Sequence, residues 1–178
     1  MLEALITSKT RIKLLLKFFL NSSNSAHLRG LEPEFGESTN AIRQELNRFE
    51  QADLLISKTE GNKKLYTANT NHPLFPEIHN LILKHIGLDK VIERVINKIG
   101  QLSCVYLVGD LAMGKNSNVI DLWFVGNKLD KNYIVSLVEK AEELIKRKIR
   151  YIVLNDAEID DFIASKKPGE LLLLWKSE

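Results

Sequence analysis

Apolar side chains recur at three- and four-residue spacing at Ile12, Leu15, Leu16 and Phe19. That spacing predicts a helix capped by Ser8, running to about Leu20 with one buried stripe. The polar run Asn21-Ser22-Ser23-Asn24 reads as a loop. A short helix over Ala26 to Phe35 follows, burying Leu28 and Leu31, and Pro33 inside it implies a short or bent element. After a turn at Gly36, Ser38 caps a third helix whose core stripe is Ala41, Ile42, Leu46 and Phe49. The exit Ala52-Asp53-Leu54-Leu55 leads into two alternating runs, Leu54 to Lys58 and Lys63 to Ala68, joined by Gly61-Asn62. Pro73 opens a helix to about Ile86. Gly87 interrupts it, and Leu88 to Ile99 continues with Val91, Ile92, Val95 and Ile99 on one face, closed by Gly100.

Beyond Gly100 the period changes. Leu102 to Val108 reads as a buried strand followed by a glycine-containing turn, and Val119 to Val125 as a second strand. Asp130 to Lys148 is a long amphipathic helix, Arg150 to Leu154 a third strand and Leu171 to Trp175 a fourth. Strand–helix alternation of this kind indicates a small α/β domain. Two domains are expected, 1–86 and 87–178, in an α+β chain.

The third helix carries Asn40, Arg43, Gln44 and Asn47 at offsets of three, four and seven, on the side opposite its core stripe, with Arg48 beside them. Arg suits the two acceptors of a guanine edge, and Asn or Gln suits adenine. Ser38 and Thr39 lie at the helix start, where free backbone N–H groups meet phosphate. Lys63 and Lys64 follow the Gly61-Asn62 turn, placed to straddle a phosphate backbone, and Arg29 on the preceding helix adds a further phosphate contact. Helix, turn, helix and hairpin in this order form a winged helix-turn-helix. It pushes one helix (38–52) into the major groove of double-stranded DNA and lays one hairpin (58–64) on the backbone. The run HLRGLEPEFGESTNAIRQELNRFEQADLLISKTEGNKKLYTANTNHPLF resembles the winged helix-turn-helix of arsenical-resistance-repressor-like (ArsR-like) bacterial and archaeal regulators. The resemblance implies operator binding by a homodimer, with Ser38 to Arg48 as the recognition helix. Metal-sensing members use clustered Cys or His ligands. Here Cys104 stands alone, and His72, His79 and His85 are spaced seven and six apart, so no metal and no cofactor is expected.

The run VYLVGDLAMGKNSNVIDLWFV, Val105 to Val125, resembles the opening of the minimal, polymerase-beta-like nucleotidyltransferase fold. That family has a strand, Gly-Ser, a turn with Ala-Arg-Gly, and a second strand carrying Ser-Asp-x-Asp. Two carboxylates at i and i+2 of a strand point the same way and together hold the metal ions that bridge triphosphate and nucleophile. Gly109 matches the glycine and Asp121 the second aspartate, but Asp110 replaces the serine and Val119 stands where the first aspartate belongs. A third carboxylate is expected on a later strand, and Arg150 to Leu154 supplies none; Asp156 lies just beyond it. The resemblance therefore implies a nucleotidyltransferase-like domain that is not an enzyme. Gly109, Asp110 and Asp121 remain candidates for a nucleotide-like effector, and the surface for dimer or partner contacts. The rival reading, an active nucleotidyltransferase with a winged-helix targeting domain, needs a second metal-ligating acid near Asp121.

Composition narrows this less than the pattern does. Residues 1–86 hold 11 basic and 9 acidic side chains and residues 87–178 hold 14 of each, a weak footprint for a DNA binder. Phosphate contacts must come from local placement or from doubling by dimerisation, through Leu14 to Leu20 or the Pro73 to Gly100 helices. No apolar run reaches the length of about 20 residues needed to span a bilayer, and a single cysteine fits a reducing, cytoplasmic setting. Lys146-Arg147-Lys148 suits a helix C-terminus, the acids Asp156, Glu158, Asp160 and Asp161 a solvated helix face, and Trp123 and Trp175 the core.

Overall fold

A computed structural model describes residues 2–96 and 99–177. It divides into two compact units, Met1–His85 with Gly114–Asn116, and Ile86–Met113 with Ser117–Glu178. The architecture is the expected α+β one, a winged helix-turn-helix followed by a small α/β unit.

In the first unit α1 (Lys9–Leu15) is capped by Ser8, whose hydroxyl accepts the Arg11 N–H at 3.2 Å. The helix runs on as a π-helical turn, Leu16–Leu20. Leu14 to Leu20 is buried throughout, with Lys17 held by Glu34 at 3.0 Å. This corrects the expectation that the segment offers a dimerisation surface, because its apolar atoms are already covered within the chain. A second correction concerns Ala26, expected at a helix start. Ser25–His27 is instead a strand, β1, and α2 covers Leu28–Phe35. The extended residues are captured by backbone pairing to a distant strand, which outweighs local preference. α3 (Thr39–Gln51) buries Ile42, Leu46 and Phe49. β2 (Leu55–Glu60) and β3 (Lys63–Ala68) form the wing, and the sheet order is β1-β3-β2, all antiparallel. Gly61, at φ +57°, makes the hairpin turn in a region L side chains rarely adopt. α4 (Phe75–Ile86) closes over the core, where the Phe19 ring lies 6.4 Å from Phe49 and 5.8 Å from Phe75.

Glu45 is among the buried polar residues of this unit, with Thr10, Lys17, Asn21 and Asn24. Glu45 interrupts the apolar stripe of α3, buried but satisfied: Arg11 donates to both its oxygens (2.9 and 3.1 Å), and Ser8 and Arg48 donate as well. Burial pushes its carboxyl up, and the hydrogen bonds of Arg11 and Ser8 with the charges of Arg11 and Arg48 more than offset this, leaving it below the ordinary value of 4.5.

The second unit opens with α5 (Leu88–Ile96), shorter than the expected helix to Ile99; the side chain of Val95 lies outside the described residues. β4 (Gln101–Val108) leads into a short helix, α6 (Gly109–Ala112), where a plain turn is expected. β5 (Val119–Asn127), α7 (Lys131–Ile145), β6 (Lys148–Leu154), α8 (Ile159–Ala164) and β7 (Leu171–Lys176) follow. The four strands lie in the order β6-β5-β4-β7, with β5–β6 parallel and the other pairs antiparallel. The parallel pair is bridged by α7, the crossover such a pair requires. Asp130 caps α7, and Lys146 ends it in the left-handed region at φ 57°. α7 therefore stops short of Lys148, which opens β6. Trp123 is buried as expected; Trp175, expected in the core, is only half-buried on an edge strand.

Candidate nucleic-acid interface

Ser38 holds the start of α3 by accepting the Ala41 N–H at 3.2 Å. One lone pair is thereby used in the cap, and its O–H remains a hydrogen-bond donor. Because Ile42, Leu46 and Phe49 anchor one side of α3, the helical period turns Asn40, Arg43, Gln44 and Asn47 outward, and all four are exposed. Between α3 and the wing runs an open groove of about 650 Å³. Arg43 and Asn47 line it from α3, Lys63 and Lys64 from the wing and Arg29 from α2. Five of the ten expected DNA-contacting side chains thus meet in one place. Ser38, Thr39, Asn40, Gln44 and Arg48 lie outside the groove, on and around the start and outer face of α3. Arg48 donates to Glu45 at 3.1 Å and stays 60% exposed.

Sequence reasoning missed four further lining residues: His27, Leu28, Asn62 and Tyr66. The two-residue strand period links Tyr66 to Lys64 and was the available signal. Nothing local marks His27, because β1 brings it there only by pairing with β3 at Leu65. Lys64 reaches in two directions. Its Nζ donates to Glu50 Oε2 at 2.7 Å and sits 5.1 Å from the Tyr66 ring centroid.

In the second unit Gly109 begins α6 at φ +72°, and a Cβ there would stand 3.1 Å from Asp121 Oδ2. Asp121 is on β5, directly across the parallel register from Arg150 on β6. The guanidinium grips it bidentately, Nε to Oδ1 at 2.6 Å and Nη2 to Oδ2 at 2.8 Å. A cleft of about 310 Å³ contains Gly109, Asp121, Trp123, Arg150 and Lys166, with Lys166 Nζ 5.4 Å from the Trp123 centroid. Asp110, in the first turn of α6, is exposed and does not line this cleft. Val119 precedes Asp121 on the same face and offers no ligand. Asp156 accepts a 2.5 Å bond from Asn127, six residues and about 20 Å along β5 from Asp121, so it is no part of the cleft.

Two residues of the basic run after α7 are engaged within the unit. Lys148 pairs with Glu142 at 2.7 Å, and Arg147 donates to the Ser117 carbonyl. His79 and His72 serve the backbone, His79 bonded to the Phe19 carbonyl at 2.7 Å and His72 accepting the Leu74 N–H at 3.1 Å. Among the described residues no three His, Cys, Asp or Glu side chains gather as a metal-binding group, and no helix is long and apolar enough to cross a membrane.

No protein-family model and no curated protein matches the sequence. Among solved structures, reduced HlyU from Vibrio cholerae is 20% identical, with a TM-score of 0.37, covering 49% of this chain and 83% of its own. A Sulfolobus solfataricus protein assigned as a nucleotidyltransferase is 24% identical, with a TM-score of 0.38, covering 56% of this chain and 86% of its own. A mutant of the toxin–antitoxin MntA–HpeT is 17% identical, with a TM-score of 0.40, covering 51% and 73%.

Proposed function

We propose that the chain is a sequence-specific, DNA-binding transcriptional regulator that acts as a homodimer. Its recognition helix (38–52) enters the major groove and its wing (58–64) rests on the backbone. The observation that carries this reading is the groove in which Arg29, Arg43, Asn47, Lys63 and Lys64 converge from three separate elements. Four cations and one amide on an open surface fit a polyanion whose base edges are read by hydrogen bonds. The modest net charge of +2 makes two copies the natural reading unit, since doubling supplies the phosphate contacts one copy lacks.

Selection of binding sites from random duplexes, followed by titration of Arg43→Ala, tests it. The variant should lose about 1–3 kcal/mol on the selected site and relax base preference at one position. Unchanged affinity and preference would remove Arg43 from base reading. Failure of the wild-type chain to retain any duplex at low salt would end the proposal.

The nucleotidyltransferase-like unit is proposed to be inactive and to serve as an effector or assembly domain. The support is local: Val119 replaces a ligating acid, and the remaining one, Asp121, is already matched by the full positive charge of Arg150.

A further inference from the structure

Glu50 is the residue whose place the DNA-binding reading leaves unexplained. It lies in the last turn of α3, the negative end of the helix dipole, where an acid costs helix stability. It also puts a negative charge beside the groove that would receive phosphates. Its carboxylate is nonetheless engaged through both oxygens. Oε1 accepts from the Ser57 hydroxyl on β2 at 2.5 Å, and Oε2 accepts from Lys64 Nζ on β3 at 2.7 Å. A hydroxyl and an ammonium converging on two oxygens of one anion is the arrangement that grips a nucleic-acid phosphate.

We propose that Glu50 is an internal phosphate mimic: its carboxylate occupies Lys64 in the free protein and must yield that lysine to a backbone phosphate when DNA docks. The inference rests on the proposed DNA-binding function and deepens it by assigning a restraint on affinity. The exchange is feasible because the pair is at the surface, Lys64 46% and Glu50 31% exposed, and such pairs are weak. Lys64 already lines the groove, so its ammonium needs no rearrangement of the wing to face a phosphate. Ser57 keeps the carboxylate in place after the lysine leaves. Consistently, the hydrogen bond of Lys64, then that of Ser57, holds the Glu50 carboxyl below the usual range.

The consequence is a salt dependence that one acid partly conceals. When Lys64 passes from Glu50 to a phosphate, cations leave the DNA, and the salt that screens the newly exposed carboxylate offsets part of that release. With Glu50→Gln the offset disappears, and the slope of log affinity against log salt should steepen by a fraction of the about 0.9 that one phosphate contact contributes. Between 200 and 50 mM salt, the ratio of variant to wild-type affinity should therefore grow by less than about three-fold. Lys64→Ala should flatten the slope more in the Glu50→Gln background than in the wild-type background. The experiment is a salt series of duplex titrations on the full chain in all four backgrounds, with thermal melts confirming that each is folded. Equal slopes for wild type and Glu50→Gln, weaker binding by Glu50→Gln, or equal flattening by Lys64→Ala in both backgrounds would overturn the mimic while leaving DNA binding intact. Absence of duplex binding by the wild type would remove the proposed function, and the mimic with it.

Discussion

Glu45 is an acid in a stripe of leucine-like positions, and its tolerance there is an electrostatic result. Arg11, Ser8 and Arg48 donate to a carboxylate that water barely reaches, so the charged form is favoured in the folded state relative to the unfolded chain. Its folded pKa is depressed, so the stability it contributes is fully present above the unfolded value of 4.5 and is lost as pH falls through the lower folded value. Glu45→Gln should cost about 1–3 kcal/mol at pH 7 by weakening charged hydrogen bonds and leaving Arg11 uncompensated. Thermal melts of wild type and variant at pH 7, 5 and 3.5 should show a gap that is widest at neutral pH and narrows in acid. A gap independent of pH would mean that packing, not charge, carries the contribution. Neither Glu45 nor Glu50 was legible in the sequence as anything but a helix acid. The partners of Glu45 on α1 lie 34 and 37 positions away, and no local pattern encodes that distance.

At the scale of elements, what could be read was what is local. The Ser38 cap, the stripe Ile42, Leu46 and Phe49, and the Gly61-Asn62 turn define α3 and the wing within a few residues of where they stand. Three features depend on partners far along the chain, and they were not legible. The strand Ser25–His27 exists because β3 is there to pair with it. The π-helical turn Leu16–Leu20 is buried at every residue, a burial that depends on segments beyond its own spacing. The parallel alignment of β5 with β6 decides that Arg150 meets Asp121. The groove followed the same division: Arg43, Asn47, Lys63 and Lys64 were named from spacing, Tyr66 carried a local signal in its two-residue offset from Lys64, and His27 carried none. A local device should also respond locally. Ser38→Ala should destabilise the chain by about 1 kcal/mol, whereas Ser38→Gly, which keeps the extended cap conformation, should cost only a few tenths. Urea unfolding of wild type and the two variants makes the comparison; no loss in Ser38→Ala would show that the hydroxyl is not stabilising the helix start.

For the molecule as a whole, the two units treat anions differently, and that difference bears on whether the chain is an enzyme. The first unit exposes cations around an open groove and restrains one of them with a carboxylate. The second pairs Asp121 bidentately with the Arg150 guanidinium, so a metal would have to displace an oppositely charged partner to reach that carboxylate. Metal-assisted transfer needs two carboxylates facing the same ions; Val119 removes one, and Arg150 engages the other. Incubation of the full chain with labelled nucleoside triphosphate, Mg²⁺ and a candidate acceptor should therefore give no transfer above a no-protein control. Arg150→Ala, which frees Asp121 without restoring a second acid, should give none either. Transfer by the wild-type chain that vanishes in Asp121→Ala would instead mean that the guanidinium is a displaceable gate. The winged helix would then be the targeting head of an active transferase.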